Sequence, residues 1–436
     1  MSEPVDLDDF GLFDPAVQQC PFPYYAQMQR SAPVYEVASP MGPMHLITTY
    51  AEVTDAVRDV TRFSSRFDTS GSAGSSELVE RMRRLYEEEG GYDRVGTMLT
   101  VDPPDHTRYR RLVSRAFTPK VIAELEPTIR SVAGRLIDDL LAAMARDGVV
   151  EFVETFAVPL PVIVIAKALN VPDDRLDDFK RWSDASIAGI GTNIGIEERL
   201  AAEREVIEFQ KYFAAQLEAR RSDPQDDLLT NLLQARIDRD ELDDDGNPLD
   251  DEPLTVPEML SIIQQLLVAG NETTTKFLTE MMRLLGEHPD QFAELQADPA
   301  RAKAVAEETL RLSTPTQGMF RIVRDDVALA GCPLHKGDRA VVMFSAANRD
   351  PSVFADPDRF DPDRDNLTSH LAFGRGVHFC LGAALARLEG VVAAEELAQR
   401  LASFELAEAN DYAYHPSFLL RGLMRLDVRA TAADPT

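Results

Sequence analysis

The chain has 436 residues, 44% of them hydrophobic and 27% charged, an ordinary balance for a globular protein with a large core. Its formal net charge of −29 disfavours nucleic acid and anionic membrane as partners, since both carry phosphate charge. No run approaches the ~18 apolar residues of a membrane span, and "MSEPVDLDDFGLFD" lacks the layout of a secretion signal, so a cytoplasmic location without a membrane span is expected.

In chain order, short strands are expected at "PVYEVA" and "HLITTY", within 34–49 and split by the turn-rich "SPMGP". Residues 70–99 are Gly/Ser-rich at their start and read as a mobile loop. Helical periodicity appears near 106–117, 121–146, 155–169 and 196–222. The acidic run "DRDELDDDGNPLDDEP", 238–253, reads as a solvated loop. Next comes "PEMLSIIQQLLVAGNETTTKFLTEMMRLLGEHP", 257–289, one long helix bounded by Pro257 and Pro289. Helices near 299–313 and 380–403 flank strands at "VALAG" and "RAVVMF", within 327–344, and an ordered, turn-rich meander at 348–366. The expectation is a single domain over 1–436, mainly α with a minor β portion (α+β) nearer the N-terminus.

Three cysteines with no CxxC pair argue against disulfides and a structural zinc site. One of them, Cys380, lies in "FGRGVHFCLG", 373–382, where Gly374, Gly376 and Gly382 allow tight turns and close approach of backbone to something flat and bulky. A helical pattern follows at once, so Cys380 is placed at a helix N-terminus, where free N–H groups stabilise a thiolate. Such a thiolate suits axial ligation of haem iron. A buried inert thiol is the bland alternative, and a nucleophile using His378 as base is a third reading, which the absence of a Soret band would favour.

The pattern Phe373-Gly374-x-Gly376-x-His378-x-Cys380-x-Gly382 resembles the haem-binding loop of the cytochromes P-450, the haem-thiolate monooxygenases. Three further stretches resemble that family in order and spacing, and the likeness to its soluble bacterial members covers nearly the whole chain. The resemblance implies the family's triangular-prism fold, with haem b between the long helix and the helix after the cysteine loop, and Cys380 as the iron ligand. It places Ala269 and Gly270 of "VAGNETTT" over the haem and Glu272 and Thr273 at the proton-relay positions. Read alone, those threonines would only bend the helix. Glu308 and Arg311 of "EETLRL" match a buried structural pair completed from the meander by Arg349 or a nearby arginine. His106 and Arg110, one turn apart, together with Arg321 and His378, match haem propionate partners.

The implied activity is insertion of one atom of dioxygen into a hydrophobic small molecule of terpenoid, steroid, fatty acyl or polyketide type. Electrons would come from NAD(P)H through a separate ferredoxin and its reductase, to a monomeric enzyme. A peroxide-using haem-thiolate enzyme is the alternative. The implied substrate lining is 70–99, 174–200, Gln265–Gly270, Thr316–Met319 and Ser417–Phe418, with Ile263 and Val268 apolar and Gln265 polar. Basic residues of "HTRYRR" (106–111), with Arg375 and Arg387, are expected to form a docking island for an acidic ferredoxin.

Overall fold

The computed structural model describes residues 5–39, 42–66, 76–114, 117–188, 194–236, 246 and 252–433. The helices that position the site are α1 (Phe22–Ser31), α2 (Tyr50–Arg58), α3 (Ser76–Glu89), α4 (Asp105–Ser114), α5 (Glu126–Asp147) and α6 (Pro159–Ala168). They continue with α7 (Leu176–Ile187), α8 (Ile196–Ser222), α9 (Val256–Glu287), α10 (Ala302–Ser313) and α11 (Ala383–Arg400). Among the described residues, no helix is long and apolar enough to cross a membrane.

The longest helix, α9, runs 32 residues, about 48 Å. A capping box starts it: the Thr255 hydroxyl accepts from the Glu258 amide while the Glu258 carboxylate accepts from the Thr255 amide. Its two halves lie in different cores. Ile262, Ile263 and Leu267 pack with Trp182 of α7 and Phe209 and Phe213 of α8. Leu278, Met281 and Leu285 pack with Ile137 and Leu140 of α5 and Val392 and Leu397 of α11. The stretch 269–275 is the seam between the two cores.

A five-stranded sheet has the order β1-β2-β8-β5-β3, with β1 Val34–Val37, β2 Met44–Ile47, β3 Phe63–Ser64, β5 Met319–Val323 and β8 Arg339–Val342. Only the β2–β8 pairing is parallel; Arg321 lies opposite Ala340 in the antiparallel β5–β8 pair. Strands β6 (Val327–Leu329) and β7 (Cys332–Leu334) form a hairpin. A second, three-stranded sheet joins β4 (Val150–Glu151), β10 (Asp427–Ala432) and β9 (Leu401–Leu406).

That second sheet corrects the expectation that the β portion lies nearer the N-terminus. Leu401 and Phe404 of β9 close the core below α9, so the expected helix to 403 ends at Arg400 instead. The segment 70–99 is also not one loop: residues 76–89 form α3, which places Met82 and Leu85 against Leu200 and Ile207 of α8 at helical spacing. Residues 67–75 lie outside the described residues, as does most of the acidic run at 238–253. The expected helix at 121–146 divides at Leu125, because Pro127 cannot donate within a continuing helix and opens a new one.

Candidate haem and oxygen site

The loop 373–382 is held closed by its own backbone. The Cys380 amide donates to the Phe373 carbonyl at 2.9 Å, and the Gly374 amide donates to Leu371 at 2.9 Å. Gly374 (φ 66°) and Gly376 (φ 74°) occupy the left-handed region, and a Cβ on Gly376 would stand 3.1 Å from the Val57 carbonyl of α2. Both glycines are therefore required by the path of the chain. Phe373 lies under the Arg387 guanidinium, 4.4 Å from its ring centroid.

Cys380 sits three residues ahead of α11, not on its first turn. Burial pushes its thiol up, while the Gly382 and Ala383 amides and the charges of Arg110 and Arg387 act in the opposite direction. Part of the residue's surface nevertheless remains accessible. Across α9, Ala269 is exposed in mid-helix between the two cores and Gly270 faces Ile165 of α6, where an added Cβ would be in ordinary contact at 3.7 Å.

Four basic side chains converge on this region from two elements and the loop. His106 of α4 is buried with its ring 4.3 Å from that of His378. Burial, then His106 and Arg321, pushes His378 down to about 3, so it is neutral, and its Nε2 has no hydrogen-bond partner. Arg321 of β5 is 5% exposed, donates from Nη1 to the Phe320 carbonyl, and leaves its Nε unanswered. Burial pushes Arg321 down to about 10 and also lowers half-buried Arg110, which senses Cys380. Neither arginine forms an ion pair among the described residues. Asp102, the nearest acid, is taken up by Ser64, Ser65 and Arg324. Buried donors without acids are costly unless an anionic ligand answers them.

The family model for cytochrome P-450 matches residues 198–418. The vitamin D(3) 25-hydroxylase of Pseudonocardia autotrophica is 36% identical, covering 97% of this chain and 96% of the relative. The 6-deoxyerythronolide B hydroxylase of Saccharopolyspora erythraea is 35% identical over 93% and 95%. A solved cytochrome P-450 from Chondromyces apiculatus superimposes with a TM-score of 0.81 at 35% identity, covering 99% of this chain and all of that one. This chain belongs to the cytochrome P-450 family. It is a cytochrome P-450 monooxygenase of bacterial type, and its cofactor is haem. The residues present fit that group: a porphyrin with two propionates answers both the partly accessible Cys380 and the uncompensated donors around it.

In this cytochrome P-450 the polar side chains of Glu272 and Thr273 are turned onto the helix itself. The Thr273 hydroxyl donates to the Ala269 carbonyl at 2.7 Å, and α9 continues unbroken past Gly270. The Glu272 carboxylate accepts from Lys276 Nζ at 2.6 Å. Of the expected lining, Gln265 donates to the Thr97 hydroxyl, and Leu99 is 46% exposed although large and apolar. Ile263 packs fully in the core, and Phe418 is buried edge-on to Phe13 and Phe320.

The structural pair is as expected, and of the two arginine alternatives it is the nearby one that completes it. Glu308 and Arg311 are fully buried and doubly bonded at 2.7 and 2.8 Å. Arg364 completes the network, its Nε donating to Glu308 at 2.9 Å, whereas Arg349 instead donates to the Leu312 carbonyl and to Asp358. The docking island is thinner than the sequence suggests. Arg108 is buried and donates to Glu258, and Arg387 donates twice to Glu307, which also meets His370 Nε2 at 2.9 Å. Arg375 lies over the Tyr50 ring. Sequence reasoning missed Glu307, His370 and Lys276; for Lys276 the signal was present, four residues after Glu272 on one helix face.

Proposed function

We propose that Cys380 is the axial thiolate of haem b and that the enzyme inserts one atom of dioxygen into a C–H or C=C bond of a lipophilic molecule. The observation that carries this reading is the position of Cys380: two amides at the start of α11 point at its sulfur, and buried cations without acids surround it. His106, Arg110, Arg321 and His378 hold the two propionates. Phe373, Gly374 and Gly382 shape the loop under the porphyrin, and Ala269 with Gly270 leaves room above it.

Bound there, haem supplies the activation of dioxygen. The chain's own contribution is to exclude bulk water and to deliver protons. Glu272 holds a proton-exchanging carboxyl beside the seam of α9, and the Thr273 hydroxyl orients along the helix toward the Ala269 carbonyl. The names of the two hydroxylase relatives point to a large, mostly apolar substrate. The exposed apolar Leu99 and the polar pair Gln265–Thr97 suit such a molecule bearing a hydrogen-bonding group. Electrons come from NAD(P)H through a ferredoxin-type donor, to a monomeric, cytoplasmic enzyme. The test is the reduced carbon-monoxide spectrum: wild type gives the absorption of thiolate haem, and Cys380→Ser loses it. An unchanged spectrum removes Cys380 from the iron.

A further inference from the structure

A lysine is an unexpected tenant of the inner surface of α9. Lys276 is 5% exposed, and Nζ stands 2.6 Å from Glu272 Oε2, with both side chains largely out of water. A buried lysine without an acid is strongly disfavoured, so the two groups fix one another. The pairing also has a direction. As the later member of an i, i+4 pair, Lys276 draws the carboxylate toward the C-terminal end of α9, whereas the Thr273 hydroxyl reaches back to Ala269.

A second element holds the lysine in place. The C-terminal loop turns back on itself, with the His415 amide donating to the Gly422 carbonyl at 3.1 Å and Tyr414 bridging to Leu423. Gly422 presses on the Lys276 stem so closely that an added Cβ would stand 2.2 Å from its Cγ. The charged groups facing Glu272 come from three elements: Lys276 on α9 itself, Lys180 on α7, and His415 on this loop. Lys180 also pairs with Asp184. The His415 side chain is exposed at the surface.

We propose that Lys276 is a positioning residue for proton delivery, which fixes the direction and the charge of the Glu272 carboxylate and is itself held by the 414–423 loop. The inference rests on the monooxygenase reading, in which Glu272 exchanges protons. Burial pushes the Glu272 carboxyl up, but the charge and hydrogen bond of Lys276, with smaller help from Lys180 and His415, more than offset it and hold the group below the usual carboxylate range. Glu272 therefore stays an ionised acceptor for protons arriving from solvent on the His415 side. A proton accepted there leaves again toward the Thr273 end of the seam, returning the carboxylate to Lys276.

The test uses the haem-loaded wild type, Lys276→Met, Lys276→Arg and the double variant Lys276→Met/Glu272→Gln, with Lys276→Gln in reserve if the methionine variant does not fold. Infrared titration reads the protonated-carboxyl band directly. Burial raises the Glu389 carboxyl to about 8, so one such band is expected in every variant. At neutral pH a second band is expected in Lys276→Met, absent from wild type and Lys276→Arg, and removed again in the double variant. NAD(P)H consumption with a plant ferredoxin and its reductase is read against pH. Lys276→Met should fall about tenfold at neutral pH and recover as pH rises and Glu272 ionises, part of the 10²–10⁴-fold typical of general acid–base help. Lys276→Arg should follow wild type. A methionine variant with intact haem, no new carboxyl band and a wild-type pH profile overturns the proposal and leaves Lys276 a packing residue. Loss of the thiolate-haem spectrum from wild type would instead overturn the haem-thiolate reading, and the infrared titration would still decide the charge of Glu272.

Discussion

The chain under the cysteine loop and the 76–95 segment against α8 are both held by a buried glutamate, but in opposite ways. Below, Arg311 spends its whole guanidinium inside the protein. It bonds Glu308 twice and reaches the carbonyls of Asn348, Pro357 and Arg359, while Glu308 also accepts from the Asp361 amide and Arg364. The meander has little regular structure to satisfy its own carbonyls, and this network satisfies them. Above, Glu203 of α8 is buried at 2% exposure, accepts from Tyr86 of α3 at 2.9 Å and Arg94 at 2.7 Å, and pairs with Arg199 at 3.1 Å. It ties side chains, not backbone, and the apolar cluster beneath it holds only Met82, Leu85, Leu200 and Ile207 as fully buried members. The lower region is built to keep one shape and the upper one to release its hold locally.

Arg311→Ala is the largest break of that contrast. It leaves the Glu308 carboxylate buried with Arg364 as its remaining cation and frees three carbonyls, and removal of one partner of a buried pair costs about 3–5 kcal/mol. Urea unfolding should show that loss together with a fall in haem per protein. A loss below about 1 kcal/mol, the range of surface pairs, would mean that the brace is ornamental.

Beside it, Glu307 sharpens the same side by pH. Burial raises its carboxyl, but hydrogen bonds from His370 and Arg387 more than offset this and bring it down to about 2. Because the folded value lies below the ordinary 4.5, the ionised form stabilises the fold fully above 4.5, and this is lost as pH falls toward 2. The linked contribution is about 3 kcal/mol at neutral pH. The stability gap between wild type and Glu307→Gln should therefore close as pH drops through that window. A gap that is constant with pH would place the effect in packing instead of charge.

The contrast extends to what could be read from the sequence. The cysteine loop, α9 and the Glu308–Arg311 pair were legible because each is local: glycines at fixed offsets, one long apolar period, two charges at i and i+3. Arg364 was not, since it reaches Glu308 across 56 positions through a segment without periodicity. The upper side was the harder one. The apolar spacing of α3 is visible in "SELVERMRRLYEEE", yet its Gly/Ser-rich lead-in masked it as a loop. β9 follows α11 without a break in hydrophobicity, and only its pairing with β10 ends the helix pattern.

Glu203→Gln tests the upper hold itself. The amide keeps the shape but loses the charge that answers Arg94 and Arg199, and a hydrogen bond to a charged group contributes about 1.5–3 kcal/mol. Hydrogen exchange across 76–95 should quicken while the amides of α9 and α11 stay protected. Equal acceleration in α9 would show that the 76–95 segment and the core open as one unit.

The smallest effect is expected from Arg83, which by inspection looks as well paired as Arg311. It donates to Glu80 at 2.9 Å and to Glu87 at 2.5 Å, and those hydrogen bonds hold its guanidinium above the usual range. All three side chains, however, stand about half exposed on the outer face of α3. There water screens the attraction, salt weakens it further, and holding three long side chains still costs entropy. Arg83→Ala should therefore leave the unfolding midpoint and the exchange of 76–95 unchanged at low and at high ionic strength. A slowing or quickening as large as that of Glu203→Gln would show that α3 is held from its solvent face, and the buried glutamate would lose its place as its main tie.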